Sequence, residues 1–120
     1  MEEVSLEDSD CLFCQISKKQ IPSEIIWESD EAIAFRDIAP QAPQHILVIP
    51  RQHIKSLSDI SEIEAQLMGE LVLAVVEIAR KLGLESGYRM VVNCGPDGGQ
   101  AVDHIHFHLL GERKMTWPPG

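Results

Sequence analysis

Nowhere does this 120-residue chain carry the roughly 18 consecutive apolar residues that a membrane span needs. Its acidic beginning also lacks the basic and apolar regions of a signal peptide, so the expected address is the cytoplasm, with no membrane partner. Positive charge is scarce: 10 Lys and Arg stand against 19 Asp and Glu, for a formal net charge of −9. That balance excludes a sequence-independent grip on a nucleic acid polymer, which rests on cations neutralising phosphates, but leaves room for a small nucleotide. Cysteine is limited to three residues. In a reducing compartment they are thiols, so the spacing Cys11-Leu12-Phe13-Cys14 reads as a pair of metal ligands or as plain thiols rather than a disulfide.

What is present suits an ordinary globular domain, with 44% hydrophobic and 24% charged residues and enough length to bury a core unaided. Residues 1–10 form an acidic leader, with Glu2, Glu3, Glu7, Asp8 and Asp10, expected to be frayed rather than packed; residues 11–120 form one domain.

Ser9 or Asp10 is placed to cap a short helix from Cys11 to about Lys18, stopped by Pro22. Two strands, Ile25 to Glu28 and Ala32 to Arg36, flank the Ser29-Asp30-Glu31 turn as a hairpin, and Asp37 to Gln44 is a rigid Pro-containing loop. The apolar run from His45, closed by Pro50, predicts a central strand. A capping box, Ser61 with Glu64, opens a long helix with apolar residues at Ile63, Leu67, Leu71, Val75, Ile78 and Leu82 before Gly83 ends it. Tyr88 to Asn93 reads as a further strand, Cys94 to Gln100 as a loop, and Ala101 to Gly111 as a last strand. The fold class is α+β: an antiparallel sheet with one long and one short N-terminal helix.

Three of the five histidines, His104, His106 and His108, alternate with Ile105, Phe107 and Leu109. On an extended strand alternate residues share a face about 6.5 to 7 Å apart, so three imidazoles line one patch. One histidine on a strand is ordinarily a hydrogen-bonded structural residue; three on one face point to metal binding or to a division of nucleophilic and proton-handling roles. Gly95, Gly98 and Gly99 lie just ahead, where backbone N–H groups can approach an anion.

The run His104-Ile105-His106-Phe107-His108-Leu109-Leu110 resembles the signature of the histidine triad (HIT) superfamily. The likeness continues through Phe35 to Pro43, His45 to Pro50, Gly87 to Asn93 and the ending Met115-Thr116-Trp117-Pro118-Pro119-Gly120, which are similar to the histidine triad nucleotide-binding protein branch.

The resemblance implies a HIT-like fold whose sheet continues across a two-fold homodimer. It also implies a hydrolase of purine nucleoside phosphoramidates, derivatives of nucleotides such as AMP or GMP, working through a nucleotidyl-histidine intermediate. His106 is then the nucleophile, His108 meets the phosphate and helps manage the proton, and the His104 carbonyl orients His106. His45 is the additional active-site histidine. Asp37 would accept from the ribose hydroxyls, with Phe35 and Ile38 beside it, while Phe13, Ile16 and Ile21 wall the base. Asn93, Gly99, Gln100 and Ala101 match positions near the phosphates and leaving group. Better-known members have serine where this chain has Ala101, so one leaving-group contact worth about 1 to 2 kcal/mol is missing unless water replaces it. Trp117 belongs to a tail that approaches the partner's active site.

Microbial relatives and the related galactose-1-phosphate uridylyltransferases pair such a Cys-x-x-Cys with two histidines. The matching set here is Cys11, Cys14, His53 and His104, a structural zinc site of a microbial zinc-containing member. The same superfamily contains dinucleoside polyphosphate hydrolases and nucleotidyltransferases, which differ in leaving group, and a non-catalytic nucleotide- or zinc-binding module is the reading outside enzymes.

Overall fold

The computed structural model describes residues 10–120, so the expected acidic leader, apart from Asp10, lies outside the described residues. Five strands form one antiparallel sheet: β1 (Ile25–Glu28), β2 (Ala32–Arg36), β3 (Gln44–Pro50), β4 (Tyr88–Val91) and β5 (Phe107–Gly111), in the spatial order β1-β2-β3-β5-β4. The hairpin forms around the predicted turn, where Ser29 Oγ accepts from the Ala32 N–H at 3.2 Å. β3 sits at the centre because its residues Ile46, Val48 and Ile49 are fully buried. A β-branched run buried on both faces fits that position.

The two faces of the sheet have different covers. Helix α2 (Ala65–Lys81) lays Leu71, Val75 and Ile78 over Ile46, Val48, Ile105, Phe107 and Leu109. Burying each large side chain contributes about 1.5–3 kcal/mol. Helix α1 (Leu12–Ser17) covers part of the opposite face, setting Phe13 and Ile16 on Ile33, Phe35, Leu47 and Ile49. Side-chain alternation along β2, β3 and β5 puts His45, His106 and His108 on this second face.

Several boundaries differ from the sequence expectation for identifiable reasons. The capping box forms, with the Ser61 N–H donating to Glu64 Oε1 at 2.7 Å, but it caps a 3₁₀ turn, Glu62–Glu64, that precedes α2. Three residues per turn shift the phase of the apolar stripe, and Ile63 is 88% exposed instead of facing the core. Gly83, at φ +72°, ends the helix as predicted, with the Gly83 and Leu84 N–H groups returning to the carbonyls of Arg80 and Ala79. The cap of α1 is Cys11, whose Sγ accepts from the Cys14 N–H at 3.4 Å. The segment read as a loop before the histidines contains a one-turn helix, α3 (Gly95–Gly98), and β4 stops at Val91 rather than Asn93.

The last strand starts at Phe107, not at Ala101. Its ladder with β3 ends at the Val48–Phe107 pair. Beyond it β3 closes at Pro50, which offers no N–H. Ile105 instead donates to the carbonyl of Ile54 at 2.7 Å and the His104 N–H to the Val102 carbonyl at 2.8 Å, so His104 sits in a bend and His106 just ahead of the ladder. Among the described residues no helix is long and apolar enough to cross a membrane.

Candidate active site and metal cluster

The histidine rings are locked by hydrogen bonds that also decide where their protons sit. His106 Nδ1 lies 2.7 Å from the carbonyl of His104. A carbonyl only accepts, so Nδ1 carries the proton and the Nε2 lone pair is left for chemistry. The Gln41 backbone N–H donates to His45 Nδ1 at 3.0 Å, which puts the His45 proton on Nε2. That Nε2–H donates in turn to His108 Nδ1 at 2.9 Å. His108 therefore carries its own proton on Nε2, a buried atom with no hydrogen-bond partner among the described residues. An unpartnered buried donor is costly, and here it shares the sheet face with the lone pair of His106, the two rings 5.0 Å apart.

Asp37 closes this chain on the other side. Its Oδ1 accepts from the Ala39 N–H at 2.8 Å, and Oδ2 is 3.5 Å from His45 Nε2. Burial lowers the His45 pKa against the pull of Asp37. Burial, then repulsion by the charged forms of His106 and His45, pushes His108 from the ordinary 6.5 down to about 4. His108 is thus a neutral donor at pH 7.

A stability prediction follows from that shift. Between 6.5 and about 4 the unfolded imidazole binds a proton that the folded one refuses, so this site makes stability fall as pH is lowered through that window. Thermal melts of His108→Gln should lose Tm less steeply over this range than wild type. Parallel losses would contradict the neutral buried state.

The remaining candidates fall into groups. Phe13 and Phe35 are buried and meet edge to face at 5.4 Å, and Ile16 packs in the same cluster with half-buried Ile21 at its margin. Asn93 is half-buried after β4. Gln100 is committed to its loop: its Oε1 accepts from the Gly95 N–H at 2.9 Å and its Nε2 donates to the carbonyls of Lys55 and Val102. Gly99, at φ +80°, turns the chain after α3, and Ala101 is exposed on a cleft bounded by Cys11, His53, Lys55 and Asp103. Ile38 and Trp117 are not gathered into this face; they are 98% and 81% exposed. The tail bearing Trp117 is held where Arg89 Nη2 donates to the Thr116 carbonyl at 2.9 Å. Two contributors had no side-chain signal in the sequence: the Gln41 N–H, which donates to His45, and the Pro50 carbonyl, which accepts from His104 Nε2.

Cys11, Cys14, His53 and His104 bring four ligand atoms within 4.8 Å of one another. Cys11 Sγ is 3.3 Å from His104 Nδ1, and Cys14 Sγ is 3.3 Å from His53 Nδ1 and 3.5 Å from His104 Nδ1. With Zn–S near 2.3 Å and Zn–N near 2.0–2.1 Å, the S···N edge of a tetrahedron is about 3.5 Å, so the spacing fits zinc. The far nitrogen agrees: His104 Nε2–H donates to the Pro50 carbonyl at 2.9 Å, turning an unprotonated Nδ1 toward the sulfurs. A Cys₂His₂ set would leave a bound zinc no open position, which is the pattern of structural sites.

A model of the HIT domain family matches residues 18–115. A 14 kDa zinc-binding protein of Zea mays is 48% identical over 117 residues, covering 96% of this chain and 91% of that protein. The crystal structure of a HIT family hydrolase from Legionella pneumophila superposes with a TM-score of 0.91 at 46% identity, over 92% of this chain and 100% of that one. A histidine triad nucleotide-binding protein from Candida albicans gives 0.78 at 31% identity, over 92% and 85%. Alternating histidines on one sheet face, a Cys₂His₂ cluster suited to zinc and this breadth of likeness have one explanation: the chain belongs to the HIT domain family.

Proposed function

We propose that this chain is a nucleotide hydrolase of the phosphoramidase type, cleaving the bond between the α-phosphorus of a purine nucleoside monophosphate and an amine. The observation that carries the reading is the pairing of a lone pair at His106 Nε2 with the buried, unpartnered Nε2–H of His108. Names among its relatives agree, since one is a hydrolase and another binds nucleotides.

His106 Nε2 attacks phosphorus while the P–N bond breaks, giving a nucleotidyl-histidine. His108 Nε2–H donates to a phosphate oxygen. The arriving negative charge raises the His108 pKa, so Nδ1 takes up a proton from solvent and the resulting imidazolium hands its Nε2 proton to the departing amine. His45 Nε2–H then turns to Asp37 Oδ2, 3.5 Å away. Water attacks the adduct in the second step, its proton passing to neutral His108, and His106 leaves with its lone pair restored. Asp37 also receives the ribose hydroxyls, and Phe35, with Ile16 and Ile21, holds the base.

Steady-state rates with an adenosine phosphoramidate and a dinucleoside polyphosphate separate this reading from its rival. Faster amine release is expected; faster polyphosphate cleavage would reassign the leaving group. Ala101 is exposed, and family likeness assigns its position to the side of the departing group. Ala101→Ser should raise kcat/KM about tenfold by supplying a hydrogen bond, and an unchanged value would contradict that role.

The homodimer rests on β4, a strand at the sheet edge with Tyr88 43% and Met90 39% exposed. Such an edge invites pairing with the same strand of a second copy, which would bring the Trp117 tail to the partner's site. Sedimentation should show a dimer that Met90→Asp converts to monomer. A monomeric, fully active wild type would refute it.

A further inference from the structure

Helix α1 has six residues, too few to hold itself in place, so its position is set by what anchors it. Phe13 lies between the two cysteines of the cluster. Its ring is 5% exposed and meets His106 edge to face at 5.1 Å and 87°, and His104 at 6.0 Å and 70°. His106 has one end fixed, Nδ1 on the His104 carbonyl. One bond at Nδ1 does not by itself fix the direction of Nε2, which depends also on the rings packed alongside, Phe13 and His108. His104 carries the carbonyl, while its own ring faces the sulfurs of Cys11 and Cys14 at 3.3 and 3.5 Å. Two of the restraints on His106, the His104 carbonyl and the Phe13 ring, therefore lead back to the Cys11–Cys14 turn, while the third, the His108 ring at 5.0 Å, does not.

We infer that Phe13 is a positioning residue for His106, and that through Phe13 and His104 the aim of the nucleophile depends on the Cys₂His₂ cluster being closed by its metal. This rests on the reading of His106 as nucleophile. It assigns Phe13 a task other than walling the base: a ring packed steeply against two histidines acts on the geometry of attack more than on ground-state binding.

The test uses the full chain labelled with ¹⁵N-histidine. With zinc bound, long-range ¹H–¹⁵N spectra should show His106 as a single Nδ1–H tautomer with a sharp, slowly exchanging proton. Removing zinc with a chelator should broaden that signal, and returning zinc should restore it. Phe13→Leu, shown by elemental analysis to keep one zinc per chain, should show the broadened signal despite the metal. Its kcat should fall on the order of 10- to 100-fold with KM nearly unchanged. A His106 signal indifferent to zinc overturns the inference, as does a Phe13→Leu enzyme with raised KM, unchanged kcat and a sharp signal. If Phe13→Leu loses zinc or its fold, Phe13→Met takes its place, with the same broadened signal and fall in kcat expected. The spectra need no substrate. A chain that shows the coupling but releases no amine contradicts the proposed activity only, and one that releases amine with a zinc-indifferent signal contradicts the coupling only.

Discussion

His106→Ala should lower amine release from an adenosine phosphoramidate by about 10⁴-fold or more, because no other group on the face replaces the Nε2 lone pair. The loss is about 5.5 kcal/mol of transition-state stabilisation. Structural damage is far smaller. The substitution removes a 5%-exposed ring and leaves the His104 carbonyl without its donor, a cost of about 1–3 kcal/mol that the sheet around it can bear. The expected variant is folded, binds zinc and is inactive. Turnover within tenfold of wild type would mean that another residue, or water directly, attacks phosphorus.

The second large effect concerns stability. A metal that binds the folded cluster and not the unfolded chain stabilises the fold by mass action. At free zinc a thousandfold above its dissociation constant the folded state gains about 4 kcal/mol. For a domain of this size that is roughly 10–20 °C in Tm. Removing zinc, or replacing Cys14 with Ala, should lower Tm by about that amount, measured by scanning calorimetry at constant pH. A Tm that does not move with chelator would show that the four side chains are held together by packing alone.

Much of this arrangement was legible in the residues. The β1–β2 hairpin, the central β3 and the histidine face follow from strong local signals: a Ser-Asp-Glu turn, a β-branched run ending at Pro50, and alternation from His104 to Leu109. The Cys-x-x-Cys was legible as a pair but not as a site. His53 and His104 lie 39 and 90 positions from Cys14, and their part came from family likeness rather than spacing. What the sequence hid was carried by the backbone. The Gln41 N–H and the Pro50 carbonyl set the tautomers of His45 and His104, yet any residue at 41 other than proline offers that N–H, and every residue at 50 has that carbonyl. The phase slip at Ile63 was hidden too, because the capping box marks where a helix begins but not whether its first turn is 3₁₀ or α. Ile38 and Trp117 lie on the surface of this chain, so a function for either depends on ligand or partner, which one sequence does not specify.

Covalent catalysis by His106 is the claim on which the account turns. The most direct measurement is the intact mass of wild-type protein mixed with an adenosine phosphoramidate and quenched within one turnover in alkaline denaturant. The account predicts a fraction of chains heavier by one adenylyl group, the added mass mapping to the peptide that contains His106 and disappearing as turnover completes. Amine release with no adduct, or an adduct on any other residue, would contradict it.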